Sequence, residues 1–264
     1  MENENLVIVN FSNYQKSVNN FLQDNQSFIK SYSKLQNHNC WSQTGSQKFL
    51  VRGKKYLVDN IKFPSKDTLL ETIACKLIPF HSKNKDNHHD LAEDIKSIIN
   101  QISNHENSNE KESELFIITF LVPGYKVSWI YREKKDKPTN SNYVSFWKDF
   151  YHHQNDEYRN KRFKLLPDIP NGNWIVKKAI GKKPAIISKT IKTTWNRQQN
   201  YLEVIYDVST SFLGKKIFNV VKHYAKTIIL DLAFIIEAQT EDELPERVLC
   251  STRMHQIDLD LINK

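Results

Sequence analysis

Glycine is scarce in this sequence, six in 264 residues, so flexible Gly-Ser linkers between parts are not expected. Cysteine is scarcer. Cys40, Cys75 and Cys250 are odd in number, widely spaced and free of any CxxC pairing. That argues against a disulfide framework and a cysteine zinc site, and for reduced thiols in a cytosol-like compartment. Long apolar runs are also lacking. The longest, IILDLAFII, is nine residues with Asp231 inside it, whereas a spanning helix needs roughly 20. The opening stretch MENENLVIVNFSNYQ carries Glu2 and Glu4 and no basic lead, so no secretory signal is expected.

Catalytic signatures are lacking too. No GxSxG, Walker loop, GxGxxG or HExxH occurs, and no cofactor is expected. His88 and His89 with Asp90, and His152 and His153 with Asp156, are adjacent residues in polar stretches; they read as surface histidines and not as metal ligands. Nucleic-acid signatures are equally missing: no zinc-finger spacing, no helix-turn-helix pattern and no aromatic RNA-recognition motif. Specific nucleic acid is therefore not an expected partner, and charge alone supports only non-specific binding.

What is present is localised positive charge. The net charge is +8, with 39% hydrophobic residues and enough length for a real core. From Arg159 to Lys226 there are 15 Lys or Arg against three acids; from Thr227 to Lys264 there are three against eight. The segment KRFKLLPDIPNGNWIVKKAIGKKPAI (161–186) concentrates seven basic residues and one acid. Read as a hairpin around Asn171-Gly172, it would present Arg162, Lys164, Lys177, Lys178, Lys182 and Lys183 as a cationic strip. Lys215, Lys216, Lys222 and Lys226 share the solvent side of an expected helix over 212–225, whose apolar stripe is Leu213, Ile217, Val220, Val221 and Tyr224. Such a face can meet an anionic lipid surface, or be the wet side of a packed helix.

Spacing predicts further elements. Tyr14, Val18, Phe21, Leu22, Phe28, Ile29 and Tyr32 form one helical stripe over 12–35, a separate arm (1–40) and a candidate protein-partner surface. KFLVRGKKYLVD reads as a strand, a Gly turn and a second extended piece. Residues 66–74 read as a short helix leading into the strand CKLIPF. Residues 81–114 form a polar insertion with one helical stripe. Beyond Glu114 the period is two, with a turn at Pro123-Gly124 and a strand meander continuing to the last strands. The expected class is α+β: a large curved antiparallel sheet covered by helices, with an extra N-terminal helix. Three acids stand out. Glu203 and Asp207 share a face of the strand over 201–208. Asp231 shares a strand face with Ile229, Ala233 and Ile235. A buried carboxylate must be paired or protonated, so these residues are either ion-pair anchors or polar groups of a ligand cavity.

The stretches FLVRGKKYLVD, CKLIPF, FLVPG, YRNKRFKLLPDIPNGNWIVKKAIGKKPAI, NYLEVIYDVSTS and IILDLAFIIEAQTEDELPERVLCSTRMHQIDL, in that order, resemble the C-terminal domain of the plant enhanced disease resistance two proteins. They cover nearly all of residues 41–260, which sets a domain over 41–264. The plant proteins carry a pleckstrin-homology and a START domain before this one, and this sequence has no room for either. The resemblance implies a non-enzymatic domain in lipid- or membrane-linked processes, cytoplasmic or peripheral on a membrane. Two functions remain open: a lipid- or membrane-associated binding module, with or without an internal apolar cavity, and a structural or adaptor subunit of a larger assembly.

Overall fold

The computed structural model describes residues 30–31, 37–80, 114–136, 141–153 and 155–260. In chain order the strands are β1 (Lys30–Ser31), β2 (Cys40–Gln43), β3 (Leu50–Arg52), β4 (Lys62–Pro64), β5 (Leu70–Phe80), β6 (Leu115–Val122), β7 (Gly124–Glu133), β8 (Phe163–Asn171), β9 (Ala185–Ile186), β10 (Lys192–Arg197), β11 (Tyr201–Asp207), β12 (Ile229–Ile236) and β13 (Val248–His255). The helices are α1 (Tyr56–Asp59), α2 (Asn142–His152), α3 (Asp156–Asn160), α4 (Trp174–Ile180) and α5 (Phe212–Tyr224). The class is α+β. The strands do not form one meander: they divide into a six-stranded sheet, β1-β2-β13-β12-β8-β9, a five-stranded sheet, β10-β11-β6-β7-β5, and the β3–β4 pair. Most pairings are antiparallel, but β11 lies parallel to β6 and β1 parallel to β2.

Strand alternation sends one face of each large sheet to a shared core. Leu232, Phe234 and Ile236 of β12, Phe163 of β8 and Met254 of β13 face Phe116, Ile118, Trp129, Tyr131, Val204 and Tyr206 of the other sheet. Helix α2 fills the remaining side. Its apolar residues Tyr143, Val144, Phe146, Trp147, Phe150 and Tyr151 recur at helical spacing and are all buried, and the Ser141 side chain accepts from the Val144 N–H at 3.3 Å to cap it. Phe163 sits at the hub, 5.5 Å from Phe234, 5.6 Å from Phe116, 5.7 Å from Phe150 and 5.9 Å from Trp195 between ring centroids. The sheets are joined where β5 meets β13: Thr72 and Thr252 share a hydroxyl hydrogen bond of 2.7 Å, and Tyr131 OH lies 3.0 Å from Thr252. All three cysteines are free and buried.

Several local expectations are borne out. Val122 and Tyr125 pair across the Pro123-Gly124 turn, where Gly124 takes φ +88°, a conformation that glycine adopts without strain. Helix α5 spans the expected segment, although Leu213 of its stripe is exposed and Phe218 packs inward instead. Others are corrected. The second extended piece after Gly53 is the one-turn helix α1, and residues 66–69 are a loop and not a helix. The hairpin at Asn171-Gly172 does not form: β8 ends there and α4 begins. Gly172 lacks the positive φ that a tight hairpin turn of this type requires. Its role is close approach, since a Cβ there would stand 2.7 Å from Ile169 Cγ2 and 3.0 Å from Ile228 Cγ2. Asn173 then caps α4, its Oδ1 accepting from the Ile175 N–H at 2.7 Å. The helix expected over 12–35 lies outside the described residues, except that Lys30–Ser31 are strand; the helix expected within 81–114 lies outside them as well.

Candidate functional site

The candidate cations fall in three settings, because the segment that holds most of them folds as strand, helix and loop. Lys177 and Lys178 lie exposed on α4; Lys182 and Lys183 lie exposed in the loop that follows. Helix α4 packs beside α5, with Val176 and Ile180 against Val220, Val221 and Tyr224. Lys215, Lys216 and Lys222 of α5 are exposed. Lys216 Nζ sits 5.3 Å from the Phe212 ring centre, and Lys222 Nζ 5.1 Å from that of Tyr125. Among these lysines four large apolar side chains reach solvent: Trp174 is 71% exposed and Ile175 39% at the start of α4, and Phe212 is 74% and Leu213 60% at the start of α5.

Arg162 and Lys164 do not belong to that surface. Lys164 lies in β8 and Arg162 in the turn just before it, where neighbouring segments bring carboxylates to both. Arg162 lies over the Tyr158 ring at 4.0 Å and 3.5 Å from Glu243. Lys164 is buried and paired with Glu237, with Glu246 3.8 Å away. Arg52 completes this group, 3.3 Å from Glu237 and 3.6 Å from Glu246.

The three candidate acids separate likewise. Asp231 is fully buried on the outer face of the six-stranded sheet. Its carboxylate accepts two hydrogen bonds from Arg253 of β13, 2.7 Å from Nε and 2.9 Å from Nη2, and contacts Lys48 Nζ. In β8, Asp168 stands opposite Asp231 and meets Lys48 at 3.6 Å and Lys182 at 3.2 Å. Burial opposes ionisation of Asp168, but Lys182 and Lys48 outweigh it and hold its carboxyl below the usual range. Glu203 is buried and accepts from Thr119 Oγ1 at 2.6 Å. Asp207 is half-exposed and not buried, and closes a turn, its Oδ1 accepting from the Ser209 N–H at 3.0 Å. Of the histidine pairs, His152 and His153 are held by neighbours: Arg197 Nη2 lies 2.7 Å from His152 Nδ1, and the His153 ring stacks on Tyr158 at 4.0 Å. Among the described residues no group of three His, Cys, Asp or Glu stands placed to hold a metal ion.

Sequence reading missed the segment that covers the outer face of β8, β12 and β13. Phe49 and Val51 pack on Leu166, Ala233, Ile235 and Val248 to make a second, smaller core. This core lies between the Asp231–Arg253–Lys48 group at one end and the Lys164–Glu237–Arg52 group at the other. Beside the latter an open cleft of about 300 Å³ runs between β3, α1 and β4 on one side and β8 and β9 on the other. The signal was available: Leu50, Leu57, Val58, Ile61 and Phe63 alternate with Lys54, Lys55 and Lys62, too apolar for a solvated turn. Among the described residues no helix is long and apolar enough to cross a membrane.

Comparison with known proteins identifies relatives of this sequence. The family described as Protein ENHANCED DISEASE RESISTANCE 2, C-terminal matches residues 41–258. A relative from Arabidopsis thaliana described as Protein ENHANCED DISEASE RESISTANCE 2-like is 27% identical over 226 residues, 84% of this chain and 29% of its own length. The chain thus spans less than a third of that relative. No solved structure matches it significantly.

Proposed function

The chain belongs to the Protein ENHANCED DISEASE RESISTANCE 2, C-terminal family, and we propose that it is a non-enzymatic, peripheral lipid- or membrane-associated binding module. The observation that carries this reading is the α4–α5 surface. Trp174, Phe212 and Leu213 stand more than half exposed in the middle of Lys177, Lys178, Lys215 and Lys216. Water gains nothing from such side chains, whereas a bilayer interface accommodates both their apolar bodies and the flanking ammonium groups. The local charge supports it, since the segment from Arg159 to Lys226 holds 15 Lys or Arg against three acids.

Flotation of the purified protein with vesicles tests the reading. Binding to vesicles containing phosphatidylserine at low salt, and loss of it as salt shortens the Debye length, is expected. Reversal of Lys177, Lys178, Lys215 and Lys216 to Glu removes binding at about 1 kcal/mol per basic residue near the surface. It leaves the melt nearly unchanged, because exposed charges contribute little to stability. No flotation of the parent protein at low salt sinks the reading.

A further inference from the structure

Five of the nine large apolar side chains exposed among the described residues lie between Leu50 and Phe63. Leu50 is 55% exposed, Leu57 46%, Val58 77%, Ile61 48% and Phe63 55%. They belong to one compact tip. The Gly53 N–H donates to the Ile61 carbonyl at 3.0 Å, the Tyr56 N–H to the Gly53 carbonyl at 3.1 Å, and the Asn60 N–H to the Tyr56 carbonyl at 2.9 Å. Asn60 ends α1 in the left-handed conformation, and Asp59 Oδ1 accepts from the Ile61 N–H at 2.8 Å. Gly53 is required for close approach, since a Cβ there would stand 2.6 Å from the Phe63 ring. Backbone bonding therefore fixes apolar side chains in an outward arrangement, where turn chemistry elsewhere places polar ones.

The tip is also cationic. From Lys48 to Lys66 there are six Lys or Arg and one acid, Asp59. It is continuous with the open cleft of about 300 Å³, because Leu50, Tyr56 and Lys62 line the cleft and belong to the tip. Inside, Arg52 and Lys164 are neutralised by Glu237 and Glu246. Two further lining residues, Lys62 and Lys189, are exposed and make no ion pair with described residues. The end of the tip thus carries exposed apolar side chains beside the exposed Lys54 and Lys55, and the cleft adds the uncompensated ammonium groups of Lys62 and Lys189. An anionic bilayer matches that combination, with its hydrocarbon beneath its phosphates.

We propose that the tip and cleft form one anionic-phospholipid contact, in which Leu57, Val58, Ile61 and Phe63 enter the acyl boundary while Lys62 and Lys189 hold a headgroup phosphate. This rests on the membrane reading above but on different residues. Arg52, at the root of the tip, donates to the carbonyl of Ala238, past the end of β12, whereas α4 and α5 pack around Ile228, just before its start. The eight residues of β12 place about 25 Å between them.

Three forms of the whole chain test it against phosphatidylcholine vesicles with and without phosphatidylserine: the parent, Leu57→Ser with Val58→Ser, and Lys62→Glu with Lys189→Glu. All four positions are exposed, so equal melts are expected. The serine pair leaves the net charge unchanged, yet is expected to weaken partition to the mixed vesicles more than tenfold. The reversed lysines are expected to weaken it at least about fivefold for each residue. In a further variant, Val58→Trp combined with Trp174→Phe so that the remaining native indoles are buried, the introduced indole is expected to be quenched by brominated lipid in mixed vesicles, and glycerophosphoserine in solution is expected neither to quench it nor to compete. Partition of the serine pair equal to the parent's, or an unquenched indole, overturns the contact while leaving the α4–α5 reading in place. Failure of the parent to bind any vesicle overturns both. Light scattering that finds the parent dimeric and the serine pair monomeric assigns the tip to a second copy of the chain and also overturns it.

Discussion

Asp231 is wholly buried, and both of its oxygens are committed to cations. Replacement by Ala removes the bidentate partner of Arg253 and leaves Lys48 with Asp168 alone, 3.6 Å away. Breaking a fully buried pair costs about 3–5 kcal/mol. The side chains of Arg253 and Lys48 are each 30% exposed, so water recovers part of this, and a loss of about 2–3 kcal/mol is expected. Asp231→Asn is expected to cost nearly as much, because the amide oxygen accepts hydrogen bonds but supplies no counter-charge. Denaturant titration of the two variants checks this; a mild Asn effect beside a severe Ala effect would mean that the charge is unimportant. His255 gives a pH dependence. Burial and the nearby Arg253 guanidinium lower its pKa from 6.5. The unfolded chain therefore binds more protons at this site as pH falls through 6.5, and stability falls with it. Replacing His255 by Gln, which can still bond to Ser42, is expected to flatten melting temperature against pH between neutrality and mild acid.

Helix α4 shows how an element is misread. Pro-Asn-Gly-Asn between two apolar stretches carries the local signal of a hairpin, and the apolar residues after it suit either period. The decision lies in the crowding of Gly172 by Ile169 of β8 and by Ile228, just before β12, and the contact with Ile228 is invisible to any local pattern. Gly172→Ala is accordingly expected to cost about 1–3 kcal/mol through overpacking, and Asn173→Ala about 1 kcal/mol through loss of the cap. Gly45→Ala, with nothing within 4 Å of the added Cβ, is expected to leave the melt unchanged. Where one residue sets the geometry, the sequence was legible: Gly124 makes the β6–β7 turn, and apolar spacing makes α5. Helix α2 escaped notice because its six buried side chains are mostly aromatic and interleaved with Ser, Lys and Asp, although their spacing is helical. The candidate cations divided for a related reason. Charge is readable from composition, but whether Lys164 meets water or Glu237 depends on which strand lies beside it.

At the scale of the whole molecule, the parallel pairing of β11 with β6 has a consequence for how the chain is made. Tyr201 registers with Leu115, so β6 acquires its second neighbour only after the intervening chain, α2 to β10, exists. During synthesis the β5–β6–β7 group emerges first, with the row of amides and carbonyls along β6 unpaired and the apolar Leu115, Phe116, Ile117 and Ile118 beside it. A bare strand edge of this kind pairs with whatever extended chain is nearest. Refolding from denaturant is therefore expected to be slow, in the millisecond-to-second range of folds rich in distant pairings, and to lose yield as protein concentration rises, which light scattering on dilution will show. A yield independent of concentration would mean that β11 docks before the edge is ever left open. The same seven residues that complete the sheet thereby act as the chain's own safeguard: until β11 arrives, each nascent molecule offers its neighbours a place that only β11 should fill.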